Sequence, residues 1–428
     1  MNFPNRRTFL LSGVGALAST PILFQSELKA APSERLRVGV VGFAGRGSNN
    51  LSGVAAAGAE ITALCDVHES RTAEGRKTYP KAKFYKDFRK MLDAGGLDAV
   101  VCSTADHTHF HVAYHAMQGG LHVYCEKPLT HTVWEARTLI NLAKKKKLVT
   151  QMGTQIHAGD NYRRVVELVR SGAIGKVTEA HCWVPTKYSG NGQRPPAEKV
   201  PADLDWDLWL GPVADRPYSS AYVPFRWRHY WAFGSGALSD MACHHMDLPF
   251  WALGLRHPAE VSAVGSEVTP ETCADWTTVT WKFSETKAHG PITLTWYDGG
   301  KQPRYFAEKK LPPQAGGTLF VGEKGMLLAD YGRRKLFPEK DFQGIDGDGS
   351  IPKSVGHHKE WVDACKTGAA TTCNFDYSGT LTETVLLGVV AYRTGKALRW
   401  DADKLQTNHP EANALLTKEY RIGWEIEA

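Results

Sequence analysis

The chain has 428 residues, which is longer than one small hydrophobic core requires and predicts two domains. Its 42% hydrophobic and 22% charged residues are typical of a folded globular protein and argue against a disordered chain. The net charge of +6 comes from 51 basic and 45 acidic residues that are dispersed along the sequence, so we expect no nucleic-acid partner. The eight cysteines include no C-x-x-C pair, which favours buried thiols over a disulfide framework.

The first thirty residues differ in character from the rest of the chain. Arg6 and Arg7 precede a modestly apolar stretch that extends to Phe24, and Ala30 lies at a candidate cleavage site. We predict that residues 1–30 are a twin-arginine signal peptide that exports the folded protein to the periplasm; a disordered basic start is the alternative. No run reaches the ~18 apolar residues that a membrane-spanning helix needs, so we expect no membrane anchor.

From Leu36 to about Gln151, strand-like and helix-like patterns alternate, which predicts a doubly wound parallel sheet. The predicted strands are Val38–Val41, Ile61–Leu64, Ala99–Cys102, Leu121–Tyr124 and Leu148–Met152. Ligands of such sheets bind beyond the carboxyl ends of the strands. We therefore expect 103–109 and 126–128 to border a cofactor.

The first predicted strand runs into a glycine-rich turn that has the spacing G-x-A-x-x-G. Its residues are Gly42, Phe43, Ala44, Gly45, Arg46 and Gly47. Such a turn leaves backbone N–H groups free to bind a pyrophosphate, although an ordinary strand-to-helix loop is the alternative. The next strand ends at Asp66, 19 residues after Gly47, where an acidic side chain is placed to bind the adenosine ribose. Because this carboxylate would repel a 2′-phosphate, we expect NAD rather than NADP, with nearby Arg71 as the feature that argues for NADP.

A second region begins near Gln155 and is built differently. Its predicted strands follow one another without intervening helices, which indicates a mostly antiparallel sheet. They are Val177–Val184, Val261–Val268, Thr277–Phe283, Pro291–Tyr297, Thr318–Val321 and Gly325–Leu328. The segment 185–231 is rich in Pro, Gly, Trp, Tyr and Arg, which is typical of an ordered binding loop.

Two segments carry candidate catalytic groups. Lys127 lies in Glu126-Lys127-Pro128, just after a predicted strand, where an ammonium group can stabilise an alkoxide; an ion pair at the strand end is the alternative. If a helix begins after Gly236, Asp240 and His244 are one turn apart on one face. The carboxylate could then orient the imidazole as a general base.

Two other interpretations of the same helix stay open. His244 could be a core histidine, or a metal could bind Asp240, His244, His245 and Asp247. We expect no metal, because adjacent histidines point to different faces of a helix and no third ligand has a typical spacing. Further candidates for substrate binding are Gln155, His157, Tyr162, Arg228, Tyr230, His245 and Asp247. The aromatic and basic residues among them suit a sugar, which stacks on rings and hydrogen-bonds to guanidinium groups.

Taken together, the glycine turn, Asp66, Glu126-Lys127-Pro128 and the D-x-x-x-H-x-x-D run resemble the Gfo/Idh/MocA family of nicotinamide-dependent sugar and cyclitol oxidoreductases. The resemblance implies a Rossmann domain over 36–154 and an α/β domain with an open sheet over 155–428. It places Lys127, Asp240 and His244 at the positions of the family's catalytic lysine, aspartate and histidine. It also implies a cofactor-side loop that contains Thr104, Asp106, His107 and His109, with Ala105 in place of the usual proline.

The expected activity is hydride transfer between NAD and a hydroxyl of a sugar, glycoside or cyclitol. Free nicotinamide cofactor is scarce outside the cytoplasm, so an exported enzyme is expected to hold NAD tightly. This problem also suggests an alternative, an NAD-dependent glycosidase that oxidises its substrate, eliminates the aglycone and reduces the product. The open sheet face predicts a homodimer or homotetramer, because a broad apolar surface seldom stays exposed to water.

Overall fold

Six parallel strands form the first sheet, in the order β3-β2-β1-β4-β5-β6. The structure is a computed structural model and describes residues 35–426. The strands are β1 (Arg37–Val41), β2 (Glu60–Cys65), β3 (Lys83–Tyr85), β4 (Ala99–Cys102), β5 (His122–Cys125) and β6 (Thr150–Met152). The helices are α1 (Arg46–Ala56), α2 (Ala73–Thr78), α3 (Phe88–Asp93), α4 (Asp106–Gln118) and α5 (Val133–Lys146). The predicted doubly wound sheet is confirmed, and its strand order reverses between β1 and β4, where such sheets bind ligands.

The central strands are buried on both faces, as their continuous apolar runs require. All four residues of β4 are buried, and β1 lies between β4 and β2 in parallel register. The short strand β3 pairs with β2, although its three residues gave no clear strand pattern in the sequence. The predicted signal peptide lies outside the described residues.

Nine strands form the second sheet, in the order β13-β12-β11-β7-β10-β9-β8-β14-β15. They are β7 (Val177–Trp183), β8 (Glu260–Gly265), β9 (Thr277–Phe283), β10 (Ile292–Tyr297), β11 (Gly317–Gly322), β12 (Met326–Ala329), β13 (Arg334–Phe337), β14 (Leu398–Asp401) and β15 (Gln406–Thr407). Neighbouring strands pair antiparallel except β7 and β10, which are parallel. The prediction of a mostly antiparallel sheet is therefore confirmed.

Helices of the second region pack on this sheet and reach the first domain. They are α6 (Asp160–Arg170), α7 (Trp206–Leu210), α8 (Gly236–His245), α9 (Asp247–Leu253), α10 (Tyr305–Glu308), α11 (His357–Thr367), α12 (Phe375–Thr394) and α13 (Pro410–Asn413). The 20-residue helix α12 packs on β8 and β9, where the Trp281 indole N–H donates to the Thr384 carbonyl at 2.8 Å. It also packs along α5 of the first domain and against α8.

The outer face of the second sheet is only partly open. Its apolar half, on β7, β11 and β12, is covered by residues 303–314 of the same chain. Tyr305 and Leu311 from that segment form a buried cluster with Trp183, Leu319 and Leu328. The expected broad apolar face is thus filled in part by the chain itself, because α10 folds back over it.

Two further sequence predictions can be compared with residues 35–426. All eight cysteines are free and seven of them are buried, as the sequence predicts. In this part of the chain no helix combines the length and apolarity needed to cross a membrane.

Candidate active site

A cavity of about 450 Å³ opens at the carboxyl edge of the first sheet, between the two domains. This volume lies in the usual range of roughly 300–1,000 Å³ for small-molecule sites. The wall includes most of the residues that the sequence assigns to cofactor and catalysis: Gly42, Ala44, Gly45, Arg46, Asp66, Arg71, Thr104, Asp106, His107, His109, Glu126, Lys127, Asp240 and His244. The fold therefore brings segments more than a hundred residues apart into one wall.

The glycine turn has the geometry of a dinucleotide cradle. Gly42 has φ of 74°, and a Cβ atom there would lie 2.8 Å from the Ser103 carbonyl oxygen. A Cβ at Gly47 would lie 1.9 Å from the Gly42 carbonyl oxygen, so α1 can begin this close to β1 only with glycine. In the described part of the chain, the backbone N–H groups of Ala44, Gly45 and Arg46 donate to no protein acceptor. These N–H groups fit a pyrophosphate.

Asp66 lies beside this turn at the end of β2. Its carboxylate accepts hydrogen bonds from the backbone N–H groups of Phe43 and His68, each at 3.1 Å. Burial raises the pKa of Asp66, and the two N–H donors and Arg71 oppose that shift. The Phe43 side chain itself points into the core and packs on Phe84, so this residue contributes its backbone rather than its ring.

Glu126 joins the cofactor side of the cavity to the catalytic side. Its Oε1 atom accepts hydrogen bonds from Gln155 at 2.7 Å, from Asn50 at 2.9 Å and from Arg46 at 3.2 Å. A Cβ at Gly153 would lie 2.6 Å from the Glu126 carboxyl group, so β6 must continue into a residue without a side chain. The buried carboxylate therefore has three donors and is held in one orientation.

The ammonium group of Lys127 is anchored to helix α8. Its Nζ atom donates to Asp240 Oδ1 at 2.5 Å and to the Asp240 carbonyl at 2.8 Å. Arg228 donates its Nε–H to the same Oδ1 atom at 3.2 Å, while its guanidinium lies 4.1 Å from the Trp227 ring centroid. Both cations lower the pKa of Asp240 against the effect of burial. The pKa of Lys127 is raised in turn, because the negative charges of Asp240 and Glu126 outweigh desolvation.

His244 lies one turn after Asp240 on α8, and its ring contributes to the cavity wall. In the described part of the chain no hydrogen bond links it to Asp240, whose Oδ1 atom accepts from Lys127 and Arg228 instead. The Nδ1 atom of His244 is buried without a partner among the described residues. Burial and the neighbouring Lys127 hold the pKa of His244 well below its usual range. The histidine is therefore a neutral base, but the predicted orienting contact from Asp240 is absent.

The four predicted cofactor-side residues after β4 line the cavity, but three of them use polar side-chain atoms inside the protein. His107 is bonded through Nε2 to the Trp209 carbonyl at 2.9 Å, and burial lowers its pKa to about 3. His109 is bonded to the Pro128 carbonyl at 2.8 Å. Asp106 is the first residue of α4, and burial raises its pKa to about 6. Thr104 accepts a hydrogen bond from Thr108 at 2.7 Å.

Of the seven residues predicted to bind substrate, only Gln155 and Arg228 line the cavity. The other five lie outside its wall, contrary to expectation, because each is engaged within the protein. His157 pairs with Asp247 at 3.0 Å, and both are buried. The Tyr162 hydroxyl donates to the His244 carbonyl at 3.1 Å. His245 is bonded to the Tyr331 hydroxyl at 3.1 Å, and Tyr230 packs against Tyr222 in an aromatic cluster.

The cavity also includes residues that the sequence interpretation missed. Among them are Val67, Lys86, Phe88, Leu208, Trp209, Phe225 and Trp424. Tyr188 lies near Asp240 outside the cavity wall, and its pKa is raised mainly by burial and then by the negative charge of Asp240. Phe225, Trp227 and Tyr188 belong to the aromatic segment 185–231, so the composition of that segment was the available signal. Trp424 had no such signal, because it is distant in sequence from the first domain and no motif surrounds it.

Two family models match the chain. The model described as "Oxidoreductase family, NAD-binding Rossmann fold" matches residues 36–154, and the one described as "Oxidoreductase family, C-terminal alpha/beta domain" matches 161–295. Both are Gfo/Idh/MocA models, and together they match more than half of the chain.

Individual proteins give a consistent comparison. An inositol 2-dehydrogenase of Salmonella typhimurium is 28% identical over 150 residues, which are 34% of this chain and 45% of that protein. A glycosyl hydrolase family 109 protein of Solibacter usitatus is 31% identical over 212 residues, 43% of this chain and 47% of that protein. The alignments thus span about half the length of these relatives. The solved structure of a levoglucosan dehydrogenase with NADH and levoglucosan is similar in fold, with a TM-score of 0.60, 18% identity and coverage of 84% of this chain and 98% of that chain.

Proposed function

The chain belongs to the Gfo/Idh/MocA oxidoreductase family, and from this premise we propose that it transfers hydride between NAD and a hydroxyl-bearing carbon of a sugar, glycoside or cyclitol. One observation carries the proposal. The ammonium group of Lys127 and the imidazole of His244 lie in the wall of the same cavity as the glycine turn. A proton acceptor and a cation are thereby placed beside a site that fits a dinucleotide.

The residues of the cavity divide into those that hold NAD and those that act on the hydroxyl. The turn 42–47 and Asp66 would hold NAD, which when bound supplies a hydride acceptor or donor. His244 is neutral because of its lowered pKa and takes the hydroxyl proton. Lys127 stabilises the negative charge on the substrate oxygen. Asp240 remains ionised because of its lowered pKa and fixes the position of Lys127.

The shape of the outer cavity supports a sugar-like substrate. Phe225 is 48% exposed and contributes to the wall, so an apolar ring is available for the C–H face of a sugar. The guanidinium of Arg228 lies 4.4 Å from the Phe225 ring centroid and can bind a hydroxyl beside that ring. The relatives include an inositol dehydrogenase, which acts on a cyclitol. These features support a polyhydroxylated ring as substrate.

The test compares the purified wild type with Lys127→Met on a panel of sugars, cyclitols and glycosides with NAD. We expect the variant to lose at least about 100-fold in kcat, because the oxygen loses its cationic partner, and to retain NAD binding. Lys359→Met is the matched control, since Lys359 forms an exposed ion pair with Asp363 on α11, away from the cavity wall. Unchanged turnover in Lys127→Met, or failure of the wild type to bind a nicotinamide dinucleotide, would contradict the proposal.

A glycosidase reaction is the second candidate, and the glycosyl hydrolase family 109 relative supports it. The same cavity would then oxidise a glycoside to a ketone, release the aglycone by elimination, add water to the resulting double bond and return the hydride to the ketone carbon. Aryl glycosides separate the two activities. Aglycone release without net formation of reduced nicotinamide supports the hydrolase, whereas stoichiometric reduced nicotinamide without aglycone supports the dehydrogenase.

We also propose that the protein is exported by the twin-arginine route and acts in the periplasm as a homo-oligomer. The paired Arg6 and Arg7 before an apolar stretch support export. Fractionation of cells that express the full chain tests it: replacement of both arginines by lysine should retain the protein in the cytoplasm. Equal periplasmic amounts of the two forms would contradict this route.

A further inference from the structure

A segment of the second domain crosses the carboxyl edge of the first sheet. Residues 203–211, named here the strap, begin beside the end of β2. The Asp205 N–H donates to the Val67 carbonyl at 2.9 Å, and the Glu69 N–H donates to the Asp203 carbonyl at 2.9 Å. These two bonds fix the start of the strap immediately after Asp66, the residue placed to bind the adenosine ribose.

The other end of the strap is fixed to the start of α4. The neutral ring of His107, which is 1% exposed, donates its Nε2–H to the Trp209 carbonyl at 2.9 Å. At Gly211 the backbone comes so close to α4 that a Cβ would lie 2.9 Å from the Thr108 methyl carbon. The strap therefore runs from the end of β2 to the residues that follow β4, across the switch point of the sheet.

The C-terminal residues 420–424, named here the hook, hold the strap from outside. The Arg421 guanidinium donates to Asp207 at 2.6 Å, to Asp215 at 3.0 Å and to the Gly211 carbonyl at 3.0 Å. Only 13% of this arginine side chain is exposed, although both carboxylates are largely exposed. The hook is bound to the first domain as well, because the Trp424 carbonyl accepts from the His111 ring at 2.9 Å.

Strap and hook both contribute to the cavity that contains the glycine turn. Leu208 and Trp209 of the strap and Trp424 of the hook share the wall with Gly42 and Asp66. A dinucleotide bound outside the carboxyl ends of the strands has to lie beneath these side chains. Its exit on this side requires that the bonds of the strap to Val67 and His107 break.

We propose that the strap and the hook retain NAD, so that the cofactor stays bound through many turnovers. This inference rests on the proposed function of the cavity. A retained cofactor has to be returned to its starting state in place. The hydride and proton taken from one hydroxyl-bearing carbon are then delivered to a second carbonyl, either an acceptor sugar or the oxidised substrate itself, which leaves the overall reaction without net oxidation.

The experiment measures cofactor release rather than activity. Wild type and Arg421→Ala are purified by gel filtration, the bound dinucleotide is quantified after acid extraction, and its replacement by added isotopically labelled NAD is followed over time. We expect the wild type to carry close to one dinucleotide per chain. Release should be at least tenfold faster in Arg421→Ala, because the strap loses the three hydrogen bonds that the guanidinium donates to Asp207 and Gly211.

Arg334→Ala is the matched control, because Arg334 also donates to a carboxylate, Asp346, and to Asn161, but lies on β13. Its release rate should equal that of the wild type. Hydrogen exchange adds a measurement that needs no variant: the dinucleotide should leave no faster than the hydrogen bonds of the Asp205 and Glu69 amides open.

Exchange of wild-type NAD within seconds, or equal release rates in wild type and Arg421→Ala, would overturn the inference and leave the proposed function intact. A wild type that binds no dinucleotide even when it is added in excess would remove the proposed function and the inference together.

Discussion

Asp240 shows how one side chain can have a different partner from the one that helical spacing suggests. Its position one turn before His244 is as predicted, but its carboxylate faces Lys127 and Arg228. Two cations offer a buried carboxylate more favourable electrostatics than one neutral imidazole. The chemical consequence is that Asp240 positions the ammonium group, while His244 keeps the free ring nitrogen that a base needs.

Gly47 allows a prediction about the cofactor cradle. We expect Gly47→Ala to weaken NAD binding at least tenfold and to lower the free energy of unfolding by about 2 kcal/mol, because the added methyl would overlap the Gly42 carbonyl and move α1 away from β1. Isothermal titration with NAD and urea denaturation measure the two effects. Gly290→Ala is the control, since a Cβ there meets no atom within 4 Å. Equal NAD affinity in the two variants would contradict the assigned role of Gly47.

The sequence was sufficient for residues whose role depends on local backbone. The glycine turn and Asp66 belong to one β-α-β unit, so their spacing alone places them together. It was insufficient for His157 and Asp247, which are 90 residues apart and pair with each other at 3.0 Å. Both residue types occur in active sites and in buried networks. Whether a given histidine and aspartate belong to one or the other is decided by the tertiary fold.

At the level of elements, the run D-x-x-x-H-x-x-D is divided between two helices. Helix α8 ends at His245 and α9 begins at Asp247. The change of helix turns Asp247 away from the cavity, where its carboxylate accepts from Tyr377 at 2.7 Å. A seven-residue spacing would keep both acids on one face of a continuous helix, so the break between the helices is what the pattern could not reveal.

The contact between α12 and α5 is expected to carry much of the stability at the junction of the domains. Glu383 on α12 is fully buried and accepts from the Arg137 guanidinium at 2.8 and 3.0 Å. We expect Glu383→Ala to lower the free energy of unfolding by about 3–5 kcal/mol, because it leaves a mostly buried arginine without its carboxylate. Urea denaturation followed by circular dichroism provides the measurement.

Asp363→Ala serves as the comparison for this element, because Asp363 forms an exposed pair with Lys359 on α11. Its effect should be about 0–1 kcal/mol, as is usual for ion pairs at a surface. If both substitutions cost the same, the Arg137–Glu383 pair is not an important link between α5 and α12.

On the scale of the whole molecule, the cavity is made by several parts of the chain that are distant in sequence. The first domain provides the glycine turn, α8 provides Asp240 and His244, and the strap and hook close one side. Each of these parts except the hook has a recognisable composition or residue spacing in the sequence. Local patterns do not report which segments meet after folding, so the sequence could indicate the candidate catalytic residues of the cavity and yet not Trp209 and Trp424 in its wall.

The outer face of the second sheet leads to the last prediction, which concerns assembly. Residues 303–314 cover its β7–β12 half, but on the other half Val264 is 63% exposed and Thr280 is half-buried beside it. A second copy that packs on this half would remove Val264 from water, so we expect a homodimer or homotetramer by light scattering. Thr280→Arg should shift the mass toward that of one chain. At the centre of a symmetric contact the two introduced guanidinium groups would lie close together and repel each other. Thr78→Arg, at an exposed site on α2, should leave the mass unchanged. A wild type with the mass of one chain would contradict self-association, whereas an oligomer that tolerates Thr280→Arg would place the contact on another surface.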